Sequence, residues 1–285
     1  MGRAKEIIVK VIPSKLANEF VKRVHYSGKY ATSSLLHFGC FLDEKLHGVM
    51  SFGNPIDRKK LLNLVHTNED KAVLWTEYLE LNRMAFDEYL PKNSESRCFA
   101  IAIKMIKKNT PHIKWIISFS DATQCGDGAI YRASGFYLTA IRESKNDLWK
   151  TPKHLGWNEE VAHRIAIQGG VGGRIAHFVL QKYGTRNVNI PRLIQDNGGS
   201  ALNGFQLRYI YLIDKSCKIT VPILPFSMID KMGAGMYRGE KITLAERHIN
   251  AQEVNQDKCD ASSIEIGGSN PTLALNLQAK NRQHG

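Results

Sequence analysis

The segment 115–137 restricts the possible folds of this chain more than any other stretch. Its first residues, 115–120, form an apolar run that predicts a short buried strand, and this strand carries Asp121 to its carboxyl end. A short helix is predicted over 129–133, before a strand from Phe136 to Ile141. Glycines mark the turns on both sides of that helix: Gly126, Gly128 and Gly135. In open α/β sheets, functional sites gather beyond the carboxyl ends of strands.

The elements around this segment predict a mixed sheet in residues 1–142. Their order is β-α-β-β-(α)-β-α-β-α-β, that of the GNAT acyltransferase fold. The predicted elements before residue 115 are a strand over Glu6–Ile12, a helix from Pro13-Ser14, a hairpin of Leu35–Leu42 with Leu46–Phe52, a strand over Tyr78–Met84 and a helix over Ser94–Lys108. The fold class is therefore α/β (α+β), with a GNAT-like central mixed sheet flanked by helices and a C-terminal extension.

Three parts of the chain follow from this pattern. Residues 1–142 are predicted to be the catalytic core, and 143–238 a basic extension packed on it. The extension contains a predicted helix over Arg174–Lys182, a polar loop over Gln195–Gly204 and a strand over Leu207–Asp214. Residues 239–285 contain no aromatic side chain and are predicted to be a polar, disordered tail.

The formal net charge of +12 favours a polyanionic partner. Basic residues outnumber acidic ones 23 to 16 in 1–150 and 11 to 5 in 151–238, but not in 239–285, where the counts are 5 and 6. Five scattered cysteines without C-x-x-C spacing argue against a disulfide framework and indicate a reducing cytoplasm. No apolar run reaches the roughly 18 residues of a membrane span, so we expect a cytoplasmic protein.

Several side chains are candidates for chemistry, each with a structural alternative. Asp121 could be a base, a metal ligand or a turn cap, and Tyr131 a catalytic acid or a core tyrosine. His25, at the end of the first helix, is by itself more often structural, but His, Asp and Tyr together suit iron or zinc. Arg83 lies in an apolar run and needs an anionic partner such as Glu77, Glu80 or a bound carboxylate or phosphate.

The start of the helix at Ser94 is a candidate anion site, since free N–H groups there favour negative charge. Its residues are Asn93, Ser94, Glu95, Ser96 and Arg97, and the alternative is plain capping by Asn93 or Ser94.

Six motifs in order resemble the phage Mom family, whose members look like GNAT relatives that modify adenine in DNA. They are His25-Tyr26-Ser27-Gly28, Phe52-Gly53-Asn54-Pro55, Leu79–Arg83, Asn93–Arg97, Ser118–Asp121 and Ile130–Phe136. The resemblance covers residues 20–140 and resumes at Lys182–Thr185 and Arg208–Phe226.

This resemblance implies addition of a carbamoylmethyl group to the exocyclic amine of adenine in double-stranded DNA, which would protect phage DNA from host restriction. It implies an active-site cluster of His25, Asp121 and Tyr131 around a transition metal such as iron, with Arg83 in support. The bacterial host cytoplasm would be the place of action. A dimer is left open.

One departure from ordinary GNAT enzymes concerns the donor. Those enzymes hold the coenzyme A pyrophosphate on a glycine-rich loop, whereas residues 90–97 contain no glycine and include Pro91, which lacks an N–H. The sequence therefore disfavours acetyl-CoA and does not identify the donor. Two alternatives are a conventional GNAT N-acetyltransferase acting on a protein or small amine, and a non-catalytic DNA-binding module.

A modifier of the adenine amine would flip the base out of the stack. The expected substrate-binding residues are Ser94, Ser96, Arg97, Ser120, Gly126 and Gly128. The expected DNA-binding residues are Arg174, Lys182, Tyr183, Arg186, Arg192 and Arg208, where basic side chains would contact phosphates.

Overall fold

The backbone of the computed structural model follows the predicted order of elements through the first half of the chain. It describes residues 3–122, 128–150, 161–163, 174–185, 189, 192, 195–234, 236–237 and 240–241. Its strands are β1 (Ile8–Val11), β2 (Ser34–Leu42), β3 (Lys45–Gly53), β4 (Val65–His66), β5 (Tyr78–Phe86), β6 (Trp115–Asp121), β7 (Tyr137–Lys150), β8 (Val161–His163), β9 (Ser200–Leu212), β10 (Lys218–Ile219), β11 (Met236–Tyr237) and β12 (Glu240–Lys241). Its helices are α1 (Ser14–Val24), α2 (Arg58–Leu61), α3 (Ser94–Asn109), α4 (Ala129–Ala133), α5 (Arg174–Tyr183) and α6 (Ser227–Lys231), with 3-10 turns at Arg3–Glu6 and Trp75–Glu77.

Eight of these strands form one sheet in the order β1-β2-β3-β5-β6-β9-β7-β8. The pair β5–β6 is parallel, and the other neighbours are antiparallel. Helix α1 covers one side, which we call the α1 side, through Phe20 and Val21 packed with Val49 and Ala85. Helix α3 covers the opposite α3 side, where Phe99 belongs to a larger apolar cluster. The predicted α/β class, a central mixed sheet flanked by helices, is confirmed.

Local sequence explains most of these elements. In the turn between β2 and β3, Asp43 and Glu44 have φ values of 48° and 63°, the left-handed geometry of a tight hairpin turn. Helix α1 turns Ala17, Phe20 and Val21 inward at helical spacing. The strand predicted over Tyr78–Met84 is confirmed within β5. No described helix is long and apolar enough to cross a membrane.

Three predicted boundaries are wrong because long-range pairing overrides local pattern. The strand expected to end at Ile141 continues to Lys150 along β9. Strand β9 itself starts at Ser200, inside the predicted polar loop, and ends at Leu212 rather than Asp214. The first strand is shorter than expected, Ile8–Val11. The boundary predicted at residue 142 falls inside β7, and β9 lies between β6 and β7.

The chain divides into two compact units, Met1–Lys241 and Ile242–Gly285. The second unit, with most of the predicted tail, lies outside the described residues.

The sheet opens in its middle, between the two parallel strands. β5 and β6 pair at Tyr78–Trp115, Leu79–Ile116 and Glu80–Ile117. Beyond these residues β5 continues along β3 while β6 continues along β9. A register shift between Ser51 and Phe52 leaves Asn82 as an extra residue in β5, which is a β-bulge. We call the space between the diverging strands the β5–β6 gap.

Candidate active site

Ser118 bridges the β5–β6 gap at the point where backbone pairing ends. Its side chain is fully buried. Its Oγ atom lies 3.0 Å from the carbonyl oxygen of Leu81 in β5. The same Oγ atom lies 3.0 Å from the hydroxyl oxygen of Tyr131. A serine hydroxyl thus takes the place of a missing backbone hydrogen bond and contacts the tyrosine that the sequence singled out.

Tyr131 projects from α4 into an aromatic cluster on the α3 side. Its ring stacks on Tyr209 of β9, with ring centroids 4.8 Å apart and planes inclined by 23°. Phe136 meets it edge-on at 5.3 Å. Aromatic contacts of this kind fix a ring in position. Both readings of Tyr131 are therefore present, since its ring packs against the core and its hydroxyl lies at the gap.

Gly128 begins α4 with a φ of 68°, a backbone conformation that favours glycine. A Cβ atom there would lie 2.9 Å from Tyr131 Cδ2 and 2.9 Å from the Tyr209 hydroxyl. The position is thus restricted to glycine by its own backbone and by the two tyrosines. Its expected contact with a substrate base stays a prediction, and Gly126 lies outside the described residues.

His25 lies on the other side of the sheet, where α1 ends. Its backbone N–H donates to the Val21 carbonyl at 2.9 Å. The backbone N–H of Ser27 donates to Nδ1 at 3.2 Å, and the Ser27 hydroxyl lies 2.8 Å from the same nitrogen. This pattern assigns the proton of the neutral ring to Nε2. Burial, helped by the nearby positive charge of Arg83, lowers the pKa of His25 to about 4, so the ring is neutral at pH 7.

Arg83 holds the loop that carries His25. Its Nε donates to the Lys29 carbonyl at 2.8 Å, and a terminal nitrogen donates to the Asn82 carbonyl at 2.6 Å. Glu77, one expected partner, instead pairs with Lys114 at 2.8 Å. The guanidinium thus makes no ion pair with a carboxylate among the described residues, because backbone carbonyls at the bulge take its N–H groups.

Glu80 is the acid on β5 nearest to this arrangement. Burial raises the pKa of Glu80, and a hydrogen bond from Asn82 and the charge of Arg83 oppose that rise. Glu80 pairs with Gly53 and with Ile117, so it occupies the α1 side together with Arg83.

The three predicted metal ligands do not lie on one side of the sheet. Asp121 ends β6 and alternates with Ser120, so its side chain shares the α1 side with Ile117, whereas Tyr131 contacts Ser118 on the α3 side. The charged neighbour of His25 is Arg83, a cation, which disfavours a bound metal cation. No group of three His, Cys, Asp or Glu residues in the described part of the chain could hold a metal. The described donors therefore do not fit the expected three-ligand centre, and the metal stays a prediction.

The predicted anion site at the start of α3 is built mainly as a cap. Asn93 takes the N-cap position with a φ of 67° and makes no side-chain cap hydrogen bond. The Ser94 hydroxyl donates to the Pro91 carbonyl, and the Ser96 hydroxyl donates to the Asn93 carbonyl at 3.3 Å. Arg97 reaches the Lys5 carbonyl at 3.3 Å. Ser120 is buried on the α3 side of β6. Substrate contacts of these residues stay predictions.

The expected DNA-binding residues fall into two groups. Arg208 is half-buried in β9, where its Nε donates to Thr139 Oγ1 at 3.0 Å and a terminal nitrogen donates to the Thr139 carbonyl at 3.2 Å. Burial lowers the pKa of its guanidinium. Lys182 and Arg192 are exposed, and they contact Asn197 at 3.1 Å and Asp196 at 3.7 Å. Tyr183 is 37% exposed, as an aromatic residue that contacts bases would be. Arg186 and the Arg174 side chain lie outside the described residues.

Sequence reasoning missed Ser118 and Tyr209 as parts of the site. A signal for Ser118 existed, since a hydroxyl that interrupts the inward face of an apolar strand needs a buried partner. Tyr209 carried no such signal, because its strand reads as an ordinary aromatic-rich strand and its neighbour in space lies far away in sequence.

These features belong to a known family. The sequence profile of the Mom protein family matches residues 6–228, and the chain therefore belongs to this family. A methylcarbamoylase, Mom, of Escherichia phage Mu is 34% identical over 142 residues, which are 50% of this chain and 56% of that protein. The chain thus spans about half the length of this curated relative.

Solved acetyltransferase structures share the course of the chain at low identity. An IAA acetyltransferase from Bacillus cereus has a TM-score of 0.38 and 10% identity, covering 72% of this chain and 99% of that one. The spermidine/spermine N-acetyltransferase SpeG from Vibrio cholerae has a TM-score of 0.38 and 7% identity, covering 74% of this chain and 95% of that one. Family membership therefore rests on the sequence match.

Proposed function

We propose that this protein is a DNA-modifying enzyme that adds a carbamoylmethyl-type group to the exocyclic amine of adenine in double-stranded DNA. The family match over residues 6–228 carries the proposal, because this range contains all four expected catalytic residues: His25, Arg83, Asp121 and Tyr131. Such a modification would protect phage DNA from restriction in the cytoplasm of a bacterial host. The 34% identity to a methylcarbamoylase supports the type of group transferred.

The two sides of the β5–β6 gap would act on the target amine differently. His25 is neutral and carries its proton on Nε2, so it would donate a hydrogen bond to the reacting group. Arg83 would keep the His25 loop in place through the Lys29 carbonyl. Asp121, at the carboxyl end of β6, would take up a proton from the amine as nitrogen forms its new bond.

Positive charge would bring the DNA to this site. The net charge of +12 favours association with phosphates in any sequence. The target amine is exposed in the major groove but stacked, so base flipping would deliver it to the gap. We propose Lys182, Arg192 and Arg208 as phosphate contacts, with Tyr183 beside the strand that loses its base.

Nucleoside mass spectrometry tests the proposal. DNA from cells that express the protein should contain deoxyadenosine with an added mass, and DNA from cells that express Asp121→Asn should not. His66→Gln, which changes a histidine paired with Asp70 at 2.9 Å, is the matched control and should keep the product. Soluble protein with only unmodified deoxyadenosine would contradict the proposal. Saturable acetyl-CoA binding without this product would indicate a conventional acetyltransferase.

Metal content is a separate measurement. The family resemblance implies iron, although the described side chains assemble no three-ligand set for it. Elemental analysis of protein purified with and without air should show iron in stoichiometric amount that Asp121→Asn loses. Active protein without a transition metal would remove the cofactor from the proposal and leave the reaction in place.

A further inference from the structure

We infer that Ser118 is a positioning residue that directs the hydroxyl proton of Tyr131 inward, so that Tyr131 offers its oxygen as a hydrogen-bond acceptor to the target amine. The inference rests on the proposed function for the identity of that amine. It assigns Tyr131 a role opposite to that of the general acid in the GNAT resemblance, because a phenol whose only proton is held inward cannot donate it to a second group.

The direction of the proton follows from the partners of Ser118. The Leu81 carbonyl can only accept, so the Ser118 hydroxyl donates its single proton to that carbonyl at 3.0 Å. Ser118 must then accept at its second contact, and the Tyr131 hydroxyl donates to it at 3.0 Å. Ser118 is fully buried, so loss of the first bond would leave the Leu81 carbonyl without a donor at the gap.

Packing keeps the Tyr131 ring in this orientation. The ring stacks on Tyr209, and Phe136 meets it edge-on. Gly128 allows this close approach, because any side chain there would meet both tyrosines. The hydroxyl therefore has few other positions available, and Ser118 decides which way its proton points.

The target amine fits this acceptor. The exocyclic nitrogen of adenine carries two N–H groups and has a weakly available lone pair. An acceptor that takes a hydrogen bond from one N–H orients the nitrogen, and the inward proton avoids a clash between two donors. Ser118 acts on the substrate only through Tyr131.

Two measurements test the inference. The first uses protein with 13C at the tyrosine Cζ atom, where Tyr131→Phe identifies the Tyr131 signal by its loss. Ser118→Ala should shift the Tyr131 signal more than the signal of any other tyrosine, and Ser118→Thr, which keeps the hydroxyl, should restore it. An unmoved Tyr131 signal would overturn the inference whether or not the protein has activity.

The second measurement is a double-mutant cycle on the yield of modified deoxyadenosine. Ser118→Ala should lower the rate about tenfold in the wild-type background and less than about twofold in the Tyr131→Phe background, because one hydrogen-bonded pair acts as a unit. Equal losses in both backgrounds would show that Ser118 only supports the fold and would overturn the inference. Absence of product from the wild type, with a shifted Tyr131 signal in Ser118→Ala, would overturn the proposed function and with it the catalytic part of this inference.

Discussion

The two sides of the sheet around β6 differ in how they hold their functional groups. On the α3 side, Ser118, Tyr131 and Tyr209 are neutral and are fixed by ring stacking and by hydrogen bonds of 3.0 Å. On the α1 side, His25 and Arg83 are ionisable and are tied to backbone groups of one loop and one bulge. The α3 side therefore depends on shape, while the α1 side depends on charge and pH. Each of the following predictions separates these two dependences.

Substitution of Gly128 should have the largest effect, because it strikes the side that depends on shape. Gly128→Ala combines an unfavourable φ of 68° with contacts of 2.9 Å to both tyrosines. We expect the free energy of unfolding to fall by about 3 kcal/mol. Urea denaturation measures it.

Gly198→Ala is the matched control for this substitution. Gly198 has a φ of 77° but no heavy atom within 4 Å of its Cβ position. Only backbone strain remains, and we expect a loss of about 1 kcal/mol. Equal losses in the two variants would mean that the tyrosine contacts add nothing.

Acidification should weaken the α1 side first. The pKa of His25 is lowered from 6.5 to about 4, so the unfolded chain binds a proton that the folded chain resists. The stabilising effect is complete above pH 6.5 and is lost as the pH falls toward 4. We expect a loss of roughly 2 kcal/mol after allowance for solvent screening. His25→Gln should flatten the pH dependence of urea midpoints, and His66→Gln should retain it.

DNA affinity should depend more on the half-buried arginine than on the exposed one. Arg208→Met should raise the dissociation constant for a short duplex about tenfold, and Arg192→Met about threefold, because Arg192 already shares its charge with Asp196. Fluorescence anisotropy at several salt concentrations measures both. A larger effect of Arg192 would place the DNA on the outer surface, away from β9.

The smallest effect should come from the electrostatic coupling within the α1 side. Arg83→Gln removes the positive charge that lowers the pKa of His25 and should raise that pKa above about 4. The pKa should stay below 6.5, because burial is the larger cause. NMR titration of the His25 ring measures it, with Arg97→Gln as the control. An unchanged pKa would leave burial as the only cause.

Local pattern was sufficient for much of the fold. Helical spacing of apolar residues predicted α1 and α3, and the Asp43–Glu44 turn fits the predicted hairpin. The strand–loop–helix order around Asp121 was also predicted correctly. Local pattern failed where strands from distant parts of the chain pair, as in β7 beyond Ile141 and in β9 before Leu207. Residues such as Asn203 and Gly204 look like a loop until β7 supplies their hydrogen bonds.

The sequence by itself determined the family, the order of the elements as far as α4, and the residues His25, Arg83, Asp121 and Tyr131 as candidates. Only the tertiary structure decided that His25 and Tyr131 lie on opposite sides of the sheet, and that Arg83 binds carbonyls rather than a carboxylate. The physical reason is that strand alternation and the bulge at Asn82 set the side on which each group lies, and pairing with other strands fixes both. The Ser118–Tyr131 contact arises in the same way, since it forms only where β5 and β6 diverge.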